Sequence, residues 1–189
     1  MTVTTLDAKT ALIVVDLQNG IVTIPTAHPT DGVVANAALL ADAFRSHGLP
    51  VVLVTVAGGA PGRSEQAPRG GGGERPADWA DLVPELKQQA SDFAVVKRTW
   101  GSFSNTGLLE ILRGEGVTQV VVVGVATSVG VESTARQAHE HGFNVTLAID
   151  AMTDMNADAH TNSVTRIFPR LGETGTTRVI IDLLDSSRA

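Results

Sequence analysis

Short apolar runs of strand length alternate along this chain with longer segments of helical period, and few folds accommodate that alternation. The first two runs, residues 11–16 and 51–56, are apolar almost throughout and do not alternate with polar residues. Strands of this kind are typical of parallel sheets, because helices cover both faces of such sheets. The pattern predicts an α/β fold.

The apolar runs and the helical spacing of apolar residues predict six strands and four helices. The predicted strands are residues 11–16, 51–56, 93–96, 119–123, 144–149 and 178–181. The predicted helices are residues 33–44, 108–112 with Thr106 as the cap, 129–141, and a long stripe over 157–171. With 189 residues, the chain suits one hydrophobic core. We therefore expect a single domain, residues 1–189, with a Rossmann-like six-stranded parallel sheet in a three-layer α/β/α sandwich.

Composition excludes several functional classes. The net charge of -6 and the lack of a basic stripe argue against a nucleic-acid binder. No apolar run has the length of a membrane span, and the N-terminus has no secretory signal pattern, so we expect no membrane partner and a cytoplasmic location. The chain has no cysteine, which rules out disulfides, thiolate metal ligands and thiol nucleophiles.

Residues 57–78 interrupt the periodic pattern with many glycines and prolines. A stretch of about twenty residues without periodicity is long for a compact domain, so it is either a functional lid or a flexible loop. The glycine run 70–73 has neither the spacing of a phosphate-binding loop nor a helix directly after it.

Polar residues follow three of the apolar strands: Asp16, Lys97 and Asp150. In open parallel sheets, ligands bind beyond the carboxyl ends of the strands, near the point where the strand order reverses. The turn 124–130, after the fourth strand, is a fourth candidate region. A carboxylate that is desolvated there and paired with a lysine could transfer a proton near neutral pH. Taken singly, Asp16 could equally be a turn residue and Lys97 a solvated surface charge.

Three segments of the chain resemble the signature segments of the isochorismatase-like hydrolases. They are Asp16-Leu-Gln-Asn19, Lys97 with Ser102-Phe103 behind it, and the run from Gly124 to Ala135. The resemblance covers nearly the whole chain in order and spacing. It implies a catalytic Asp, Lys and Cys, and a cis peptide bond between Val125 and Ala126. Gly130 occupies the position of the family's cysteine.

The glycine changes the mechanism that the resemblance implies. Without a thiol, the covalent thioester route is excluded, and the metal pocket of nicotinamidases is doubtful because residues 55–59 contain no Asp-x-His. We expect no metal and no cofactor. Isochorismatases of siderophore and phenazine pathways are similar in carrying a glycine, and they cleave a vinyl ether by protonation. By this analogy Asp16 would be the general acid, Lys97 would orient it or hold an acidic substrate, and Gly130 would leave space and backbone N–H groups.

Further residues are candidates for binding a small-molecule substrate. They are Gln18, Trp100, Phe103, Val125, Ala126 and Val129. Gln18 and its neighbour Asn19 could instead cap the turn after the first strand. The aromatic residues Trp79, Trp100 and Phe103 could wall the pocket or pack at a subunit interface. Carboxylates of a substrate would need donors such as Arg63, Arg69 or Arg98, which could also be solvated surface charges.

Other polar residues favour structural interpretations. Replacement nucleophiles could come from Thr127, Ser128 or Ser133, but no histidine precedes His139 in that segment to activate them. His160 lies on a helical stripe and is typical of a packed or interface histidine. The acids Asp150, Asp154 and Asp158 could suggest a cation site, but their context is that of a turn and a helix start.

Three functional hypotheses remain at this point. The leading one is a hydrolase that acts through Asp16 on a small, acidic substrate. The second is a catalytically silent relative that binds a small molecule or a partner protein. The third is that Gly130 was introduced in place of a native cysteine. The resemblance also implies a homo-oligomer, for which the late helix could supply an interface.

Overall fold

Six parallel strands form the sheet in this computed structural model, which describes residues 3–59, 62–65 and 75–186. Their spatial order is β3-β2-β1-β4-β5-β6. The strands are β1 Thr10–Val15, β2 Val51–Val56, β3 Phe93–Lys97, β4 Gln119–Val125, β5 Asn144–Thr153 and β6 Glu173–Gly175. The predicted six-stranded parallel sheet is confirmed. The order reverses between β1 and β4, the place where ligands bind in sheets of this kind.

Helices cover both faces of the sheet. They are α1 Asn19–Val22, α2 Thr30–Ser46, α3 Leu108–Gly114, α4 Glu132–Glu140, α5 Ala157–Asn162 and α6 Thr177–Ser186. Helices α2 and α6 pack on one face together with Leu12 and Val14 of β1. Helices α3 and α4 pack on the other face with Ile13 and Val15. Successive side chains of a strand point to opposite faces, so a strand between two apolar layers is apolar throughout.

The prediction of the sixth strand at residues 178–181 is wrong. That run belongs to α6, where Ile180 and Leu184 are both buried, four residues apart on one face. The actual β6 lies just before it and pairs with β5. Asp150 is part of this arrangement, since its Oδ1 accepts hydrogen bonds from the backbone N–H and the hydroxyl of Thr177 at the start of α6. Asp150 is thus a structural residue.

The late helical stripe is also divided. Helix α5 is followed by a π-helical turn, Ser163–Ile167, and a 3₁₀ turn, Phe168–Arg170. Pro169 has no backbone N–H to donate, so the regular helical ladder cannot continue through it. The stripe still buries Phe168 completely against the α4 face of the sheet.

Part of the loop after β2 lies outside the described residues, namely 60–61 and 66–74. Arg69 and the glycine run 70–73 fall there, so the structure does not test the predictions made for them. Trp79 returns to the body of the molecule and packs against Gly20, and the guanidinium of Arg75 lies over its ring, 4.0 Å from the centroid. In the described part of the chain, no helix combines the length and the apolar character that crossing a bilayer requires.

Candidate active site

The sheet brings three predicted site residues together at its carboxyl edge. Asp16 directly follows β1, Lys97 is the last residue of β3, and Gly130 lies in the π-helical turn Thr127–Val131 after β4. Strands β1 and β4 are the neighbours at which the strand order reverses. The topology therefore places all three residues at the expected position for a ligand site.

Asp16 and Lys97 form a buried ion pair. The Nζ of Lys97 lies 2.8 Å from Oδ2 of Asp16, and the two residues are only 2% and 6% exposed, respectively. The ammonium also donates to the carbonyl oxygen of Trp100 at 2.6 Å. The other carboxylate oxygen, Oδ1 of Asp16, is buried and has no hydrogen-bond partner among the described residues. One carboxylate oxygen of Asp16 is thus bound to Lys97, and the other has no hydrogen-bond partner among the described residues.

Burial dominates the acidity of Asp16. Loss of solvent raises the pKa of its carboxyl from 3.8 to about 6, although the charge and the hydrogen bond of Lys97 act to lower it. Burial disfavours the charged carboxylate more than the interaction with Lys97 favours it. A carboxyl with a pKa of about 6 is protonated in roughly one molecule in ten at pH 7. Such a group can donate a proton under neutral conditions.

The backbone of Asp16 adopts the left-handed conformation, with φ 55. Most side chains are strained there, while aspartate and asparagine tolerate it best after glycine. The next residue, Leu17, is fully buried in the core, and the chain then enters the α1 turn. The sharp turn at the strand end is thus made by a residue type that suits it.

Gly130 faces the ion pair at close range. A Cβ atom built on it would lie 3.3 Å from both Oδ2 of Asp16 and Nζ of Lys97. It would also lie 3.1 Å from the Cγ1 of Val15. A side chain at this position would contact both charged groups, and the glycine leaves that volume empty of protein atoms.

Hydrogen bonds within the chain hold the turn that carries Gly130. The peptide bond between Val125 and Ala126 is cis, as the resemblance predicted. The carbonyl oxygen of Ala126 accepts hydrogen bonds from the N–H groups of Val129 and Val131. At the strand preceding this turn, Gly124 has φ +119, and a Cβ on it would collide with the carbonyl group of Val15. Strands β4 and β1 approach closely there because position 124 has no side chain.

Asp154 holds the same turn from the neighbouring strand, a role that sequence reasoning missed. Its Oδ2 accepts from the backbone N–H of Ser128 at 2.8 Å and from its hydroxyl at 2.7 Å. Its Oδ1 accepts from the N–H of Asn156 at 3.0 Å, and the residue is buried. The prediction ended the fifth strand at residue 149, whereas β5 continues to Thr153 beyond a register shift. Asp154, not Asp150, is therefore the acid at the end of that strand.

Replacing Asp154 with alanine should lower the free energy of unfolding by about 2–4 kcal/mol, since it leaves the backbone N–H of Ser128 without its charged acceptor. The matched variant Ser128→Ala should cost only about 1 kcal/mol, because it removes the hydroxyl bond and keeps the backbone bond. Urea denaturation of both variants measures the difference. Equal losses in the two variants would contradict the role given to Asp154.

His160 packs beneath the turn from α5. Its Nδ1 lies 2.8 Å from the hydroxyl oxygen of Thr127, and its ring centroid lies 4.7 Å from that of His28. Burial and His28 lower the pKa of the His160 imidazole, while Asp154 acts to raise it. A base does therefore stand beside one hydroxyl of this segment, contrary to the prediction from sequence. Neither Thr127 nor His160 is among the described residues that line the cavity at the ion pair.

A cavity of about 180 Å³ opens in front of the ion pair. Among the predicted site residues, its lining contains Asp16, Lys97, Trp100, Val125, Ala126, Val129 and Gly130. Sequence reasoning missed the other lining residues, which are Ile21, Ile24, Val56, Gly58, Gly59, Thr99 and Met155. The α1 turn and the segment after β5 fold over the sheet edge and supply several of these, a placement that no periodicity signals.

Two predicted substrate-binding residues are not among the described residues of the lining. Gln18 is fully buried, and its amide accepts from the N–H of Val56 at 2.7 Å and donates to the carbonyls of Val56 and Trp79. The side chain of Gln18 links the ends of β1 and β2, and its amide has no N–H group left to donate to a ligand. Phe103 packs in the core on the α4 face, with its ring centroid 5.3 Å from that of His141. Both residues support the fold behind the site.

The predicted arginines and Asn19 do not line the cavity among the described residues either. Arg63 is exposed. Arg98 is exposed and packs its side chain beside Gly58, near the edge of the cavity. The side-chain amide of Asn19 donates to the carbonyl of Asp78 at 3.3 Å. The described residues also contain no cluster of three or more histidines and acids that could hold a metal ion.

Comparison with known proteins identifies the family. A model of the isochorismatase domain matches residues 10–179. The uncharacterized isochorismatase family protein YwoC of Bacillus subtilis (strain 168) is 41% identical over 179 residues, which cover 92% of this chain and 93% of that protein.

Solved structures agree with this assignment. An isochorismatase family protein from Burkholderia thailandensis is 38% identical, with a TM-score of 0.90 over 96% of this chain and 98% of that one. The N-carbamoylsarcosine amidase from Thermoplasma acidophilum is 25% identical, with a TM-score of 0.73 over 89% of this chain and 96% of that one. This chain belongs to the isochorismatase family of hydrolases.

Proposed function

We propose that this protein hydrolyses a vinyl ether by general acid catalysis from Asp16, without a covalent intermediate. The observation that carries the proposal is the state of Asp16, a buried acid with a pKa of about 6 whose Oδ1 has no partner among the described residues. By resemblance to the family, Gly130 stands where a nucleophilic cysteine would otherwise be. The chain contains no cysteine at any position.

The reaction needs one proton donor at one place. The carboxyl of Asp16 gives its proton to the terminal vinyl carbon, the double bond supplies the electron pair of the new C–H bond, and an oxocarbenium ion forms. Water adds to this cation and returns a proton to the Asp16 carboxylate. The resulting hemiketal, or hemiacetal, collapses to an alcohol and a carbonyl compound. No side chain forms a bond to the substrate.

Lys97 has a defined part in this scheme. Its ammonium, 2.8 Å from Oδ2, stabilises the carboxylate that remains after the proton has left. It also acts to lower the pKa of Asp16, which burial alone would raise further. The interaction with Lys97 keeps Asp16 acidic enough to protonate carbon. Burial raises its pKa, so that part of the population stays protonated near neutral pH.

Isotope labelling in D₂O tests the proposal. A panel of vinyl ethers and carboxamides is offered to the protein, and products are analysed by NMR and mass spectrometry. We expect vinyl-ether turnover with one solvent deuterium at the former terminal vinyl carbon, a normal solvent isotope effect, and no adduct in the intact mass of the protein. Adduct formation overturns the proposal. Ligand binding without turnover of any compound overturns it in favour of a catalytically silent relative.

Reinstalling the family's nucleophile separates the two chemistries. Gly130→Cys places a sulfur beside Asp16 and Lys97, since the Cβ position is 3.3 Å from each charged group. We expect this variant to lose vinyl-ether turnover because the side chain occupies the reaction volume. Unchanged vinyl-ether turnover in the variant would count against the place given to Gly130.

A further inference from the structure

We propose that the substrate is uncharged, and that the part of it next to Asp16 is apolar and about the size of one six-membered ring. The inference rests on the proposed function only for the choice of a vinyl ether as the reacting group. It departs from the acidic substrate expected from the sequence. Three observations on the cavity carry it: its charges, its walls and its size.

While Asp16 is ionised, the charges of the cavity balance each other, and once Asp16 is protonated for the proposed reaction, Lys97 is needed by the carboxylate that proton transfer leaves behind. Among the described residues, Asp16 and Lys97 are the only ionisable side chains that line the cavity, and they neutralise each other at 2.8 Å. Two of the three ammonium hydrogens of Lys97 are used, one by Asp16 and one by the Trp100 carbonyl. A substrate carboxylate that drew Lys97 away would raise the pKa of Asp16 and so weaken the acid.

The walls offer an anion little compensation. The apolar side chains facing the ion pair are those of Ile21, Ile24, Val56, Val125, Val129 and Met155. Moving a carboxylate from water to such surroundings is unfavourable unless charged or hydrogen-bonding partners replace its hydration. A neutral apolar group gains free energy on the same transfer. The walls therefore select against charge.

The volume limits the size of the group. The cavity measures about 180 Å³. An apolar protein cavity of about 150 Å³ is known to accommodate benzene, and pockets for drug-sized ligands are about 300–1,000 Å³. One ring or an equivalent chain therefore fits, and anything larger extends outward past Trp100, which is 62% exposed.

Binding of unreactive ethers tests the inference without depending on turnover. The probes are ethyl phenyl ether, 4-ethoxybenzoate and its neutral isostere 4-ethoxybenzamide, titrated calorimetrically at pH 8. We expect both neutral probes to bind at least about tenfold more tightly than the carboxylate. The variant Met155→Lys, which adds a cation to the wall, should reverse the order of benzoate and benzamide. Leu39→Lys, at an exposed position remote from the cavity, is the control and should change neither.

The outcomes distinguish this inference from the proposed function. Tighter binding of the benzoate overturns the inference, and loss of that preference in Arg98→Leu would assign anion recognition to the arginine beside Gly58. Tighter binding of the neutral probes supports the inference even if no vinyl ether is hydrolysed. In that case only the proposed chemistry fails.

Discussion

Replacing Asp16 with asparagine is expected to lower kcat for vinyl-ether hydrolysis by about 10²- to 10⁴-fold, the usual contribution of a positioned general acid. An amide cannot protonate carbon, so the chemical step loses its donor. Asparagine also tolerates the left-handed backbone at this position, φ 55, whereas alanine would add strain to the loss of the acid. Steady-state kinetics with circular dichroism as a check on folding measures the effect.

The pH dependence of the wild-type enzyme provides the second test of Asp16. Burial raises the pKa of Asp16 to about 6, so the protonated form that the proposed mechanism requires predominates well below that pH and is depleted above it. We expect kcat to be constant at low pH and to fall about tenfold per pH unit above pH 6. A rate that rises with pH would mean that Asp16 acts as a base. Asp78→Asn, an exposed acid in the adjacent loop, should leave the profile unchanged.

Replacing Lys97 with methionine is expected to have the largest effect on stability. Above the pKa of Asp16 the variant contains a buried carboxylate without its partner, which should reduce the free energy of unfolding by about 3–5 kcal/mol. The loss should be much smaller at pH 5, because Asp16 is then mostly protonated and has no charge to compensate. Urea denaturation at pH 5 and pH 8 measures both values. Lys87→Met removes an exposed lysine and serves as the matched control.

The same variant should also change the kinetics in a predictable direction. Lys97 acts to lower the pKa of Asp16, so its removal raises that pKa further. We expect the alkaline fall in kcat to begin at higher pH, with a lower plateau because a weaker acid transfers its proton more slowly. An unchanged pH profile would contradict the coupling between the two residues.

The central strands of the sheet were predictable because burial on both faces favours apolar residues at nearly every position. β1 and β2 are apolar almost throughout, and the sequence predicts the bounds of both to within one residue. Residues 178–181 form a similar run, yet they belong to α6. The three apolar residues after Arg178 are too few to distinguish a strand from the buried side of a helix. Only the spacing of Ile180 and Leu184 indicates the helix, and that pattern extends beyond the run.

The candidate site was predictable only in part, for a related reason. Asp16 and Lys97 end strands, and topology brings strand ends together whatever lies between them. Gln18 and Phe103 stand close to them in sequence, but their side chains turn away into structural contacts. Ile24 and Met155 reach the cavity through irregular segments whose course depends on tertiary packing. Local sequence does not encode such a course.

Gly124 has a consequence for anyone who sets out to redesign this enzyme. It does not line the cavity among the described residues, yet its lack of a side chain lets β4, which leads to Gly130, lie close to β1, which leads to Asp16. Even a methyl group there would collide with the backbone carbonyl of Val15 in the neighbouring strand. Libraries that vary the cavity walls should therefore keep position 124 constant, because a side chain there would displace the site's two strands while leaving every group of the cavity in the sequence.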